Sequence, residues 1–205
     1  MADVTTQAQI QLQAELALQQ SAIIAQAPTL LPEQLQQLSQ LLACSSFAGR
    51  VLMQQPELLP ALLTGEAQLP LTLSADLTEV QAMTQLRRYR NAALCGILAA
   101  DVLQKQQVEL SLARVSELAD SLINAAYQFA YTEVSRQWGQ PLDEQGQAMP
   151  LLILGMGKLG GGELNFSSDI DLVYAYPRDG ESDGRRALEA EDYFARLGQR
   201  LAKLL

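Results

Sequence analysis

Two aspartates one residue apart, Asp169 and Asp171, stand in the stretch ILGMGKLGGGELNFSSDIDLVY at 153–174. On an extended chain, side chains at i and i+2 share a face, so both carboxylates point one way while Ile170 and Leu172 turn to the core. Two charges that close repel by about 2–3 kcal/mol at an effective dielectric near 20. A divalent cation between them turns this repulsion into attraction. The chain has no histidine and only two cysteines, so oxygen is the ligand type on offer. Oxygen donors favour Mg²⁺ or Mn²⁺ over zinc. An edge strand with two solvated aspartates is the plainer alternative, and the glycine cluster about ten residues upstream weighs against it.

That cluster admits three phosphate-handling arrangements. A P-loop needs Gly, four residues, then Gly-Lys-Ser/Thr. Here Leu152 stands where the first glycine belongs and Leu159 where the hydroxyl belongs, so this arrangement fails. Gly155-Met-Gly157-Lys-Leu-Gly160 does fit the dinucleotide pattern GxGxxG. However, that fold needs a full helix before its second strand, and only residues 161–168 intervene. The third arrangement is that of nucleotidyltransferases: a strand, a glycine turn, a short helix, then a strand bearing Asp-x-Asp. In it the turn lets backbone N–H groups approach a phosphate, and the helix N-terminus favours negative charge. Gly157 and Lys158 occupy the turn, with Lys158 able to meet a phosphate as a point charge. Gly160, Gly161 and Gly162 allow close backbone approach. Ser167 and Ser168 can cap or orient the aspartate strand. Spacing alone assigns no chemistry to Glu163 or Asn165.

The elements that must position these residues follow from periodicity. MPLLILGMG reads as a strand ending in glycine, and DIDLVYAYP as an alternating strand ending at proline. Tyr174 and Tyr176 are ordinary residues of that strand. Beyond Gly184 the segment 185–205 has a helical period. Residues 1–140 place leucine and alanine at spacings of three and four with little glycine or proline. Helices are expected over 6–26, from Pro32, over 46–55 and 56–63, then 76–107 and 111–138, with a loop through 65–70. The glutamine-rich start QAQIQLQAELALQQ keeps this period, so it reads as a solvated helix face. Arg87, Arg88 and Arg90 lie on one helix, where ion pairs with the many carboxylates are the expected role.

Composition excludes several classes. The 205 residues are 48% hydrophobic and 18% charged, values of a folded globular chain. The net charge of −9 argues against nucleic-acid binding. It is uneven: 14 acidic against 7 basic residues in 1–149, and 9 against 7 in 150–205, so the chemical part repels anions least. Cys44 and Cys95 make neither a zinc pattern nor a disulfide framework, and both are expected as buried residues on helices. MADVTTQAQ has no basic and apolar leader, and AALCGILAA at 92–100 is too short for a bilayer. The expectation is a cytoplasmic protein with no membrane partner.

GMGKLGGGELNFSSDIDLVY also resembles the signature of the glutamine synthetase adenylyltransferase family, bifunctional enzymes with two nucleotidyltransferase domains. SSFAGRVLMQQPELL at 45–59 and LRRYR at 86–90 resemble the family's helical region. The ELNFSSDIDL form is similar to the N-terminal copy. The resemblance implies an adenylyl-removing domain that uses phosphate to cleave AMP from an adenylylated tyrosine of glutamine synthetase, releasing ADP. It implies Asp169 and Asp171 as metal ligands and catalytic residues, with Gly157, Lys158, Gly160, Gly161 and Ser168 around the phosphate or ADP. It also implies Mg²⁺ (or Mn²⁺), glutamine synthetase and a PII-type signal protein as companions.

The fold class expected is α+β: a helical region over 1–147, then the first part of a polymerase-β-like nucleotidyltransferase α/β domain over 148–205. Superfamily sites use a third carboxylate on a later strand, which this sequence does not offer. Glu189, Glu191 and Asp192 fall on the last helix and substitute poorly. The expectation is therefore a truncated piece, inactive alone, with a strand edge prone to association. A non-catalytic helical module that docks on glutamine synthetase or a regulator is the alternative.

Overall fold

The computed structural model describes residues 13, 16, 17, 19–25, 30–65 and 71–205. The described residues are mostly helical, with four short strands in two antiparallel pairs among them, an α+β composition. It divides into two compact units, Met1–Leu69 with Asn91–Ser111, and Pro70–Arg90 with Leu112–Leu205.

In the first unit, residues 13, 16, 17 and 19–25 are helical, and the rest of the helix expected over 6–26 lies outside the described residues. Next come α1 (Pro32–Cys44) and α2 (Ser46–Gln54). Pro32 begins α1 at a position where its missing N–H costs nothing. Ser45 caps α2, its hydroxyl accepting the Ala48 N–H at 3.3 Å. A 3₁₀ turn at Pro56–Leu58 leads into α3 (Leu59–Thr64), which ends at left-handed Gly65. The loop expected through 65–70 otherwise lies outside the described residues. Ile23, Leu38, Leu41, Leu52, Leu59 and Cys95 form the fully buried centre of this unit. Cys95 is thus buried as expected, whereas Cys44, at the last turn of α1, is exposed.

Two long helices, α4 (Glu79–Gln104) and α5 (Val108–Trp138), contribute to both units. The expected start of α4 at 76 moves to 79 because Thr78 and Gln81 close a capping box there. The Thr78 N–H donates to Gln81 Oε1 at 2.8 Å, and the Gln81 N–H to Thr78 Oγ1 at 3.3 Å. Gly139, at φ +81°, ends α5.

The second unit adds β1 (Pro141–Asp143), β2 (Leu152–Gly155), α6 (Gly157–Gly160), β3 (Leu172–Ala175), β4 (Gly180–Ser182) and α7 (Ala190–Leu204). β2 pairs antiparallel with β3 in the register Leu152↔Ala175 to Gly155↔Leu172. The pair β1–β4 was not legible: three residues each, with proline and acids, carry no alternation. The last helix begins at Ala190 rather than 185, since Glu181 and Ser182 hold the intervening segment through a bridge to Glu189 and hydrogen bonds to Leu188. α7 buries Tyr193, Phe194, Leu197, Leu201 and Leu204, one face at helical spacing. Gly198 on that face lies against the Tyr174 ring, and Phe194 stacks on Tyr176 with centroids 5.0 Å apart. At the other end of α7, Arg200 and Lys203 both pair with Glu79. Among the described residues no helix is long and apolar enough to cross a membrane.

Candidate active site

β2 ends at Gly155, and the chain turns at once into α6, a single helical turn. Gly157 opens that turn at φ +56°, a backbone conformation that a β-carbon disfavours. Leu159 is buried and pins the turn, while Lys158 is exposed. Gly160 packs so closely that a β-carbon there would lie 2.5 Å from the Gly155 carbonyl oxygen. Gly162, at φ +69°, then reverses the chain, and Glu163 N–H bonds back to the Lys158 carbonyl at 2.8 Å.

The aspartate segment meets this turn from the other side. The Met156 N–H donates to the Asp171 carbonyl at 2.9 Å, carrying the β2–β3 ladder one step past the strands. The expected strand DIDLVYAYP is thus shorter than its alternation suggested, because its partner ends where α6 begins. Asp169 lies beyond the ladder. The alternation nevertheless persists: Asp169, Asp171 and Val173 are exposed, while Ile170, Leu172 and Tyr174 are half-buried. Burial raises the Tyr174 phenol above its ordinary range.

Between turn and aspartates runs a loop organised by two residues. Leu164 is buried, and its N–H donates to the Ser116 hydroxyl of α5 at 3.0 Å. Asn165 Oδ1 accepts the Ser167 N–H at 3.1 Å, the Ser167 hydroxyl at 3.3 Å and the Ser168 hydroxyl at 2.7 Å. Lys158 Nζ in turn lies 3.5 Å from Ser168 Oγ, at the outer limit of a hydrogen bond. The loop therefore brings Lys158 and Ser168 together immediately before Asp169. The sequence reading noted Asn165 without giving it a role, and Ser116 escaped it. The Asn-x-Ser spacing of an Asx turn was a visible signal for Asn165; no signal existed for Ser116, 48 positions from its partner.

Chemically, this face offers carboxylate, hydroxyl and backbone oxygens, donors suited to a hard cation, beside one ammonium suited to an anion. Among the described residues no group of three or more His, Cys, Asp or Glu comes together. The helix-terminus contribution is small, since α6 has one turn. Glu191 and Asp192 sit exposed in the first turn of α7. Arg87 and Arg90 are exposed on α4 and line a small hollow with Lys203. A larger hollow of about 450 Å³, between residues 71–75 and α5, contains none of the residues singled out above.

Comparison with known proteins bears on this arrangement. The family model described as glutamate-ammonia ligase adenylyltransferase matches residues 35–205. A bifunctional glutamine synthetase adenylyltransferase/adenylyl-removing enzyme of Stenotrophomonas maltophilia (strain K279a) is 46% identical over 169 residues, covering 82% of this chain and 18% of that protein. Its namesake from Xanthomonas campestris pv. campestris (strain B100) is 44% identical over 186 residues, covering 90% and 20%. A third, from Shewanella oneidensis, is 42% identical over 183 residues, covering 84% and 19%. The chain spans about a fifth of the length of these curated relatives. The chain belongs to the glutamate-ammonia ligase adenylyltransferase family.

Proposed function

We propose that this segment is the start of the adenylyl-removing half of such an enzyme, with residues 1–147 as its helical lead and 148–205 as the first part of a nucleotidyltransferase domain. The supporting observation is the shared exposed face of Asp169 and Asp171, reached by the glycine turn that carries Lys158. In the reaction, an oxygen of inorganic phosphate forms a bond to the adenylyl phosphorus while the bond from that phosphorus to the tyrosine oxygen breaks. The products are ADP and a tyrosine hydroxyl that has regained its proton, with no covalent enzyme intermediate. Asp169 and Asp171 would hold Mg²⁺ or Mn²⁺, which when bound supplies charge neutralisation on the phosphate oxygens. Lys158 would meet a phosphate oxygen, and Gly157, Gly160, Gly161 and Ser168 would shape the turn around it. Glutamine synthetase is the protein substrate in this reading. A PII-type regulator rests on the family resemblance alone.

The test is phosphate-dependent ADP release from adenylylated glutamine synthetase, compared between the 205-residue chain and a full-length protein containing it. Asp169→Asn or Asp171→Asn in the longer protein should lower turnover by on the order of 10²-fold or more. Full activity in either variant would overturn the reading. Unchanged binding to the synthetase without any turnover would favour a helical docking module instead.

A further inference from the structure

We propose that Asn165 is a positioning residue for Lys158, acting through the Ser168 hydroxyl; the inference rests on the adenylyl-removing reading of the same site. Three donors converge on one atom of the Asn165 side chain. One of them, the Ser167 backbone N–H, can only donate, so the atom it meets is the amide oxygen and not the nitrogen. The Ser168 hydroxyl has a single proton, and at 2.7 Å it gives that proton to Asn165. Its lone pairs are left for Lys158, whose ammonium can only donate. The direction of the chain is thereby fixed, from Lys158 to Ser168 to Asn165.

A loop-closing role alone would need less. The Asx turn requires only the Ser167 N–H bond. The bond from Ser168 adds nothing to that turn; what it does is aim the acceptor of Ser168, the residue before Asp169, at Lys158. The hub is also referenced to a long helix rather than to the loop. Leu164, the preceding residue, is buried and tied to Ser116 of α5. An exposed lysine has a flexible four-carbon stem, and ordering it when an anion binds costs affinity. Holding the ammonium in advance beside Ser168 lowers that cost. Asn165 therefore sets the affinity for phosphate without touching it.

The experiment is a double-mutant cycle in the full-length protein, read by the KM for phosphate, by calorimetric affinity for ADP, and by the unfolding midpoint. Asn165→Ala should raise the phosphate KM roughly three- to tenfold with little change in kcat. Lys158→Ala should raise it at least as much, and the double variant should be no worse than Lys158→Ala. Ser168→Ala, which leaves the Asn165–Ser167 turn intact, should behave as Asn165→Ala and keeps the test decisive if the asparagine variant folds poorly. An Asn165→Ala protein with a lowered midpoint but an unchanged KM would overturn the inference, as would penalties that multiply in the double variant. Absence of phosphate-dependent turnover in the unmutated protein, or full turnover in Asp169→Asn, would instead sink the adenylyl-removing reading. ADP affinity then decides the Asn165 question alone, and equal affinity with and without Asn165→Ala overturns it.

Discussion

The glycines of the turn differ in what holds them there. At Gly160 a β-carbon would sit 2.5 Å from the Gly155 carbonyl oxygen, a backbone atom with no rotamer to yield. Gly161, the next residue, has an ordinary negative φ, and the nearest atoms would be in normal contact at 3.7 Å. Gly160→Ala should therefore cost on the order of 1–3 kcal/mol by forcing β2 and α6 apart. Gly161→Ala should stay within about 0.5 kcal/mol. Urea unfolding midpoints of the two variants check this, and equal values would contradict it. The sequence marked both positions as sites of close approach to a phosphate. For Gly160 the structure supplies a packing reason that stands without a ligand, and no spacing rule could have separated it from its neighbour. The shared exposure of Asp169 and Asp171 was legible because strand alternation is local. The hydrogen bonds of Asn165 were half legible, since the turn is local and the rotamers of two serines are not.

Element boundaries depended on side chains that periodicity does not weigh. The capping box at Thr78–Gln81 starts α4 three residues inside the expected position 76, whereas left-handed Gly139 ends α5 at Trp138, where the glycine led the sequence reading to place it. β1 and β4 were invisible because a three-residue strand is defined by its partner, which lies about 40 residues away. Within α4, Cys95 makes a prediction of its own. Burial pushes its thiol from an ordinary value of 9.0 up to about 12. Between these values the unfolded chain releases a proton that the folded chain keeps. Stability is therefore fully retained below about pH 9 and falls as pH rises toward 12, by about 1.4 kcal/mol per pH unit from this group. Cys95→Ala lacks that loss. It should be the less stable protein at pH 7, through the lost volume, and the gap should narrow steadily above pH 9. Tyr193, whose buried phenol is likewise raised to about 12, titrates in both proteins and cancels in the comparison. Parallel stability curves from pH 8 to 11, measured by urea unfolding, would show that Cys95 ionises without opening the fold.

At the scale of the molecule, the face that carries the aspartates is also apolar. Leu152, Leu154 and Met156 on one side of the β2–β3 pair, and Val173 on the other, are each about half exposed (47%, 54%, 49% and 45%). Leu154 and Val173 stand directly opposite each other in the register. Both outer edges of this two-stranded sheet lack a partner strand among the described residues. An apolar face beside open edges is the arrangement that pairs with another copy, and the charges of Asp169 and Asp171 guard only one end of it. The inner face is different. Tyr174 and Tyr176 pack on α7, so a substitution there would disturb the core. The 205-residue chain should accordingly self-associate as its concentration rises into the micromolar range. Leu154→Lys, at a position more than half exposed, should shift sedimentation velocity profiles back to the monomer while leaving the circular dichroism spectrum unchanged. Asp171→Asn, which removes a guarding charge opposite Met156, should act in the reverse direction. A chain that is monomeric at every concentration, or whose association ignores Leu154→Lys, would mean that the edges and this face are already satisfied by contacts within one molecule.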